Sequence, residues 1–190
     1  ALHDNCFFDI MSERIKTILV QQTGIRDDYR MRVSPCSFID YSHAYIAEKE
    51  PLVAFAGSFI GVKNPVLFVE VMYRVHLACP GVKAYMMGDG PLGSKLDELI
   101  RRYGLQGVIT RGFTPRPEDI LSRSLVFLSI QNFDNYSSQA LMEAMACGCA
   151  IVASDVGETW RLVTDETGFR SPLDADAITD KVIWLLRHKD

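Results

Sequence analysis

The chain has 190 residues, 48% of them hydrophobic, enough to bury one good core and leave an additional arm. A formal net charge of −4 provides no basic field for a polyanion, which argues against nucleic acid as a partner. No run approaches the ~20 apolar residues of a membrane span and no signal peptide opens the chain.

The first elements stand apart from the rest. Residues 5–20 read as one amphipathic helix with Phe7, Phe8, Met11, Ile15 and Ile18 on its apolar side. The stretch RMRVSPCSFID follows as a strand and a loop. Residues 1–47 are therefore expected to form a leading helix and crossover segment, and residues 48–190 a domain. That domain opens with a strand at 52–56 (LVAFA), a helix at 65–78 and a strand at 82–87 (VKAYMM). A helix at 95–103, a strand at 107–111, a helix at 118–123 and a strand at 125–130 (LVFLSI) continue it. A helix at 138–147, a strand at 150–153 and a helix at 174–188 complete the pattern. Short, almost continuously apolar strands alternating with helices define βαβ units, hence an α/β fold with a parallel sheet covered on both faces. The five cysteines, Cys6, Cys36, Cys79, Cys147 and Cys149, are an odd number with no C-x-x-C pair, and reduced thiols in a cytoplasmic protein are expected rather than disulfides or zinc.

Ligands of such sheets sit beyond the carboxyl ends of the strands. That rule selects the loops 57–64, 88–94, 112–117, 131–138 and 154–160. In the first, GSFIGVKNPV, Asn64 is placed to be the N-cap and Pro65 the first residue of a helix. Lys63 then lies where the helix dipole already carries about +0.5 charge. A lysine there is either solvated or faces an anion such as a phosphate. In the second loop, Gly88-Asp89-Gly90-Pro91-Leu92-Gly93 matches G-x-G-x-x-G, a dinucleotide fingerprint. Pro91 removes an amide, however, and the next strand ends in Thr110 and Arg111, with no acid for a ribose. The alternative is a turn followed by a capping box of Ser94 and Asp97.

The run DNYSSQALMEAMACG carries the third candidate. Ser137 or Ser138 can cap its helix, leaving amides for an anion. Glu143 falls about one and a half turns inside, flanked at helical spacing by Gln139, Ala140, Ala146 and Cys147. Small neighbours let a flat ligand approach, and a carboxylate can accept two hydrogen bonds from a diol. The other interpretation is an acid at the rim of a half-buried helix. Asp174 and Asp176 open the last helix, where acids favour the dipole, so they are not read as a metal site. His3, His43, His76 and His188 have no discernible nucleophile partner.

In order and spacing, GSFIGVKNP, MMGDGP, GVITRGF, VFLSIQNFDNYSSQALMEAMACG and CAIVASDVGE resemble the C-terminal, donor-binding domain of retaining GT-B glycosyltransferases, family four (glycosyl transferases group 1). The resemblance runs from about residue 51 to 188, with SQALMEAMACG followed by AIVAS its most specific part. It implies a Rossmann-like half of a GT-B fold, with a UDP-, GDP- or ADP-sugar as substrate and neither cofactor nor metal. Glu143, the second acid of a Glu-x7-Glu pattern, would hold the ribose hydroxyls. Lys63 and the amides of Ser137, Ser138 and Gln139 would contact the diphosphate beside Gly57, Ser58 and Gly88. Arg111 and Phe113 would lie by the nucleobase, and Lys63 and Asn135 would carry the chemistry. The implied reaction is hexose transfer to a glycan or lipid-linked acceptor in surface polysaccharide synthesis. The acceptor would be bound by a preceding domain, through which peripheral membrane association is allowed, and this half alone would be inactive. Several positions depart from the pattern. The first acid falls on Asn135, the usual arginine on Ser58, and the second glycine and acid of V-G-G-x-x-E on Glu158 and Arg161. These departures raise the alternative of a module that keeps the fold and has lost donor chemistry.

Overall fold

In the computed structural model, which describes residues 6–26, 30–34 and 40–188, the chain divides between Ile39 and Asp40 into two compact units. The first contains strand β1 (Phe8–Ile10), helix α1 (Glu13–Thr23) and strand β2 (Met31–Val33), with β1 and β2 parallel. The expected single helix over 5–20 is thus corrected, its residue 5 lying outside the described residues. Phe8–Ile10 pair with Met31–Val33 instead, and Ser12 starts the helix by accepting the Ile15 amide at 3.2 Å. The helical spacing of Phe7, Phe8 and Met11 had masked a three-residue strand. Ile15 and Ile18 of α1 are exposed.

The second unit is built on strands β3 (Glu50–Ala56), β4 (Lys83–Met87), β5 (Ile109–Gly112), β6 (Ser124–Ser129), β7 (Ala150–Ser154) and β8 (Gly168–Ser171). Between them run α2 (Pro65–Ala78), α3 (Gly93–Arg102), α4 (Glu118–Leu121) and α5 (Gln139–Ala146), with α6 (Ala175–Arg187) after β8. All six strands are parallel, in the order β5-β4-β3-β6-β7-β8. The order reverses direction between β3 and β6, which makes the sheet doubly wound and Rossmann-like.

Alternation along the strands sorts side chains into two layers. Val53, Phe55, Met86, Val126, Leu128 and Val152 pack on one face with Phe68 and Met72 of α2, Leu96 of α3 and Ile178 and Val182 of α6. Ala54, Met87, Phe127, Ile151 and Ala153 pack on the other with Leu121 of α4 and Leu141 and Ala144 of α5. The expected α/β architecture with helices on both faces is therefore observed. Strand β8 (GFRS) was not expected. As an edge strand paired only with β7, it has less need of the continuous apolar sequence that marks the inner strands. The four described cysteines, Cys6, Cys79, Cys147 and Cys149, are free, whereas Cys36 lies outside the described residues. Burial pushes the Cys149 thiol up to about 12.

Candidate functional site

The crevice of a doubly wound sheet opens where the strand order reverses, here past the carboxyl ends of β3 and β6. The loops after β3, β4, β6 and β7 surround it. The one after β3 turns at Gly57, passes Ser58 and Phe59, and ends in a 3-10 turn, Gly61–Lys63. Asn64 follows in the left-handed conformation (φ 52°) and Pro65 begins α2, as expected. The Asn64 side chain does not cap the helix. It reaches across the crevice and donates to Asn132 Oδ1 at 2.6 Å, while the Asn132 amide donates to the Val62 carbonyl at 3.0 Å. The loops after β3 and β6 are thereby stitched together.

Lys63 points into this seam. Its Nζ donates to Oε1 of buried Gln131 at 3.4 Å, and burial holds its pKa below the usual lysine value. Asn135 Nδ2 donates to the same oxygen at 3.3 Å. The two residues expected to carry the chemistry therefore share one acceptor. The Gln131 backbone is fixed in turn by Ser154 at the end of β7, which accepts from its amide at 3.0 Å and donates to its carbonyl at 2.8 Å.

Ser138, not Ser137, caps α5, its hydroxyl accepting the Leu141 amide at 3.4 Å. Its carbonyl takes the Met142 amide at 3.0 Å. The amides of exposed Gln139 and of Ala140 are left among those without an intrahelical partner. Glu143 is half-buried and its carboxylate makes no hydrogen bond among the described residues. Burial first, and the charge of Glu118 second, push its pKa above the usual carboxylate range. Among the described residues, a half-buried cation with only a neutral partner and a half-buried acid with no hydrogen bond both cost the protein free energy. Groups perturbed in this way cluster at functional sites, although structural networks also produce them.

The loop Gly88–Gly93 has a different role from the one its motif suggests. A Cβ on Gly88 would lie 2.1 Å from the Gly57 carbonyl oxygen, and one on Gly90 2.9 Å from both the amide nitrogen and the carbonyl oxygen of Phe59. Phe59 donates to the Asp89 carbonyl at 2.8 Å and accepts from the Leu92 amide at 3.0 Å. These two glycines serve loop-to-loop packing that shapes the wall carrying Gly57 and Ser58. The expected capping box is absent: α3 begins at Gly93 after Leu92, without a side-chain cap. Asp97 is taken instead by Arg111, whose Nε donates to it at 2.6 Å. Ser94 therefore has no acidic partner of the expected kind.

Arg111 lies in edge strand β5 and highly exposed Phe113 just after it, two strands from the crevice, but the Arg111 guanidinium reaches back over the ring of Phe59 in the loop after β3, 5.8 Å from its centroid. Among the described residues neither hydrogen-bonds to Lys63. Ser58 is exposed and contributes no cation. At the far wall, Asp134 accepts from the amides of Tyr136 and Glu158, both at 3.1 Å. Arg161 pairs with Glu158 at 2.7 Å and lies over the rings of Trp160 and Tyr136. Sequence reasoning missed Gln131, Asn132, Asp134 and Ser154. The signal available was their place at the carboxyl ends of β6 and β7, within the loops 131–138 and 154–160 selected above.

The fold is that of a Rossmann-like half of a GT-B glycosyltransferase, its strand order reversing between β3 and β6. Residues 50–188 match the family described as glycosyl transferases group 1, and the chain belongs to it. The chain is 28% identical over 111 residues to the N-acetylgalactosamine-N,N'-diacetylbacillosaminyl-diphospho-undecaprenol 4-alpha-N-acetylgalactosaminyltransferase of Campylobacter jejuni, covering 58% of this chain. It spans 29% of that relative's length. A crystal structure of an S. aureus TarM mutant with fondaparinux, alpha-GlcNAc-glycerol and UDP is similar at a TM-score of 0.81 and 19% identity, covering 96% of this chain and 37% of that one. The C-terminal domain of the group 1 glycosyl transferase LpcC from Francisella tularensis is similar at a TM-score of 0.69 and 21% identity, covering 80% of this chain and 89% of that one.

Proposed function

We propose that residues 48–190 bind the nucleotide-sugar donor of a retaining glycosyltransferase that moves a hexose onto a glycan or lipid-linked acceptor, in surface polysaccharide synthesis at the cytoplasmic side of a membrane. The observation that carries this is the meeting of Lys63 and Asn135 at the switch point, with the unpartnered Glu143 carboxylate on the helix that follows. Lys63 and the first amides of α5 receive the diphosphate and stabilise its charge as the sugar departs. Glu143 accepts from the ribose diol, and Asn135 contacts donor-sugar hydroxyls. Gly57, Ser58 and Gly88 form the wall beside the phosphates, and Arg111 and Phe113 the nucleobase side. No cofactor or metal is required. The family membership, the undecaprenol-linked substrate in the Campylobacter relative's name and the UDP held by TarM support this reading.

A thermal-shift panel of UDP, GDP and ADP tests it. Nucleotide at ~100 times its dissociation constant adds about 2.7 kcal/mol of stability, and no shift with any of the three at millimolar concentration would sink the reading. Glu143→Gln is expected to remove the shift. Because the folded pKa of Glu143 is raised, the empty protein loses stability as pH climbs from the ordinary carboxylate value through the folded one. The glutamine variant lacks that loss, so without nucleotide it is expected to melt no lower than wild type at pH 7.

A second reading, a module of the same fold without donor chemistry, is favoured by the Glu158–Arg161 pair. With Arg161 neutralised by its neighbour, the cation absent at Ser58 is not replaced there. Sugar transfer from any nucleotide-sugar by the full-length protein eliminates this alternative.

A further inference from the structure

We infer that Gln131 is a positioning residue that joins Lys63 and Asn135 into one relay, keeping the lysine's charge available and turning the Asn135 carbonyl oxygen toward the ligand. This rests on the reading of the crevice as a nucleotide-sugar site. An ammonium can only donate, so Gln131 must offer its oxygen to Lys63 at 3.4 Å. The same oxygen lies 3.3 Å from the Asn135 amide nitrogen, so Asn135 must offer its NH2 group. Its own oxygen, Oδ1, is then the atom left for a substrate hydroxyl. Asn135 thus presents an acceptor where other members of the pattern present an acid.

Gln131 has little freedom to give this up. It is only 5% exposed, and Ser154 holds both its backbone amide and its carbonyl. Its neutrality matters equally. A carboxylate in its place would orient Lys63 as well, yet would compensate the charge that an incoming diphosphate must meet. The relay also explains why an acid is disfavoured at position 135. A carboxylate there would face the Gln131 oxygen with no proton between them. Gln131 could turn its NH2 group toward that acid only by abandoning Lys63.

The test measures binding of UDP, GDP and ADP to the chain by calorimetry, together with the side-chain amide resonances of Asn135. Gln131→Glu is expected to weaken whichever diphosphates bind by about tenfold, equivalent to ~1.4 kcal/mol. Gln131→Met, similar in shape but without the acceptor, should weaken them several-fold and shift the Asn135 amide protons, with the melting temperature held. Asn135→Asp should also weaken binding, although it restores the acid of the pattern. Should Gln131→Glu not fold, the methionine and Asn135→Asp variants carry the test. Wild-type affinity and unmoved Asn135 resonances in Gln131→Met would overturn the relay alone. Equal or tighter binding by Asn135→Asp would do the same. Absence of binding by the wild type to all three nucleotides would overturn the site assignment and the relay with it.

Discussion

Gly88→Ala is expected to destabilise the protein by at least about 3 kcal/mol and to lower its melting temperature by roughly 6–12 °C. The added methyl would sit 2.1 Å from the Gly57 carbonyl oxygen and 3.0 Å from its carbon, and both are backbone atoms that cannot rotate away. The φ of 143° adds strain for any L side chain. Relief requires the wall from Gly57 to Phe59 to retreat. That would break the Gly57 amide's bond to Met87 at 3.0 Å and the Phe59 amide's bond to Asp89 at 2.8 Å. Because Lys63 ends the same loop, nucleotide binding should fall with stability. Gly61→Ala is the control: it lies in the same loop, with ordinary φ and nothing within 4 Å of the added atom. It is expected to change stability by no more than about 1 kcal/mol. Thermal melts of the two variants decide the matter, and a Gly88→Ala protein melting like wild type refutes the account of the loop contact.

The helices and inner strands were legible because their signals are local. Helix α2 spans Pro65–Ala78 as the proline and the apolar period together predicted, and the near-continuous runs LVAFA and LVFLSI are inner strands buried on both faces. Signals that depend on distant partners were not legible. Asp97 looks like a capping acid until Arg111, 14 residues on, claims it. Gly88 and Gly90 look like a fingerprint until the Gly57–Phe59 backbone is seen against them. Phe7, Phe8 and Met11 have helical spacing, but β2 offers Phe8–Ile10 a partner that local periodicity cannot display. Gln131 reads as loop because a polar residue after a strand normally is one. Only the strand order, which brings β6 beside β3 and β7, reveals that it lies under Lys63 and over Ser154. Lys63 and Glu143 could be nominated from sequence because each is a charged residue that its local pattern does not need, and Asn135 because the resembled pattern places an acid at its position. What joins them could not be.

Lys63→Met is expected to weaken nucleoside diphosphate binding by about 2–4 kcal/mol, or roughly 30- to 1000-fold, without unfolding the protein. Among the described residues its ammonium meets a single neutral oxygen, that of Gln131, and no acid there compensates its charge. Burial accordingly lowers its pKa, and the charged form costs the empty fold stability. For a base whose folded pKa is depressed, that cost is present in full below the folded pKa. It disappears as pH rises from there to the unfolded value near 10.4. The empty methionine variant should therefore be at least as stable as wild type at pH 7, and the difference should narrow in alkali. Binding should show the opposite trend. A diphosphate stabilises the charged lysine, so wild-type affinity should decline with rising pH before the ordinary lysine pKa is reached. The methionine variant should lack that alkaline decline. Calorimetric titrations with UDP, GDP and ADP across neutral to alkaline pH measure both effects. Equal affinities for wild type and Lys63→Met at pH 7 would place the diphosphate elsewhere on the domain.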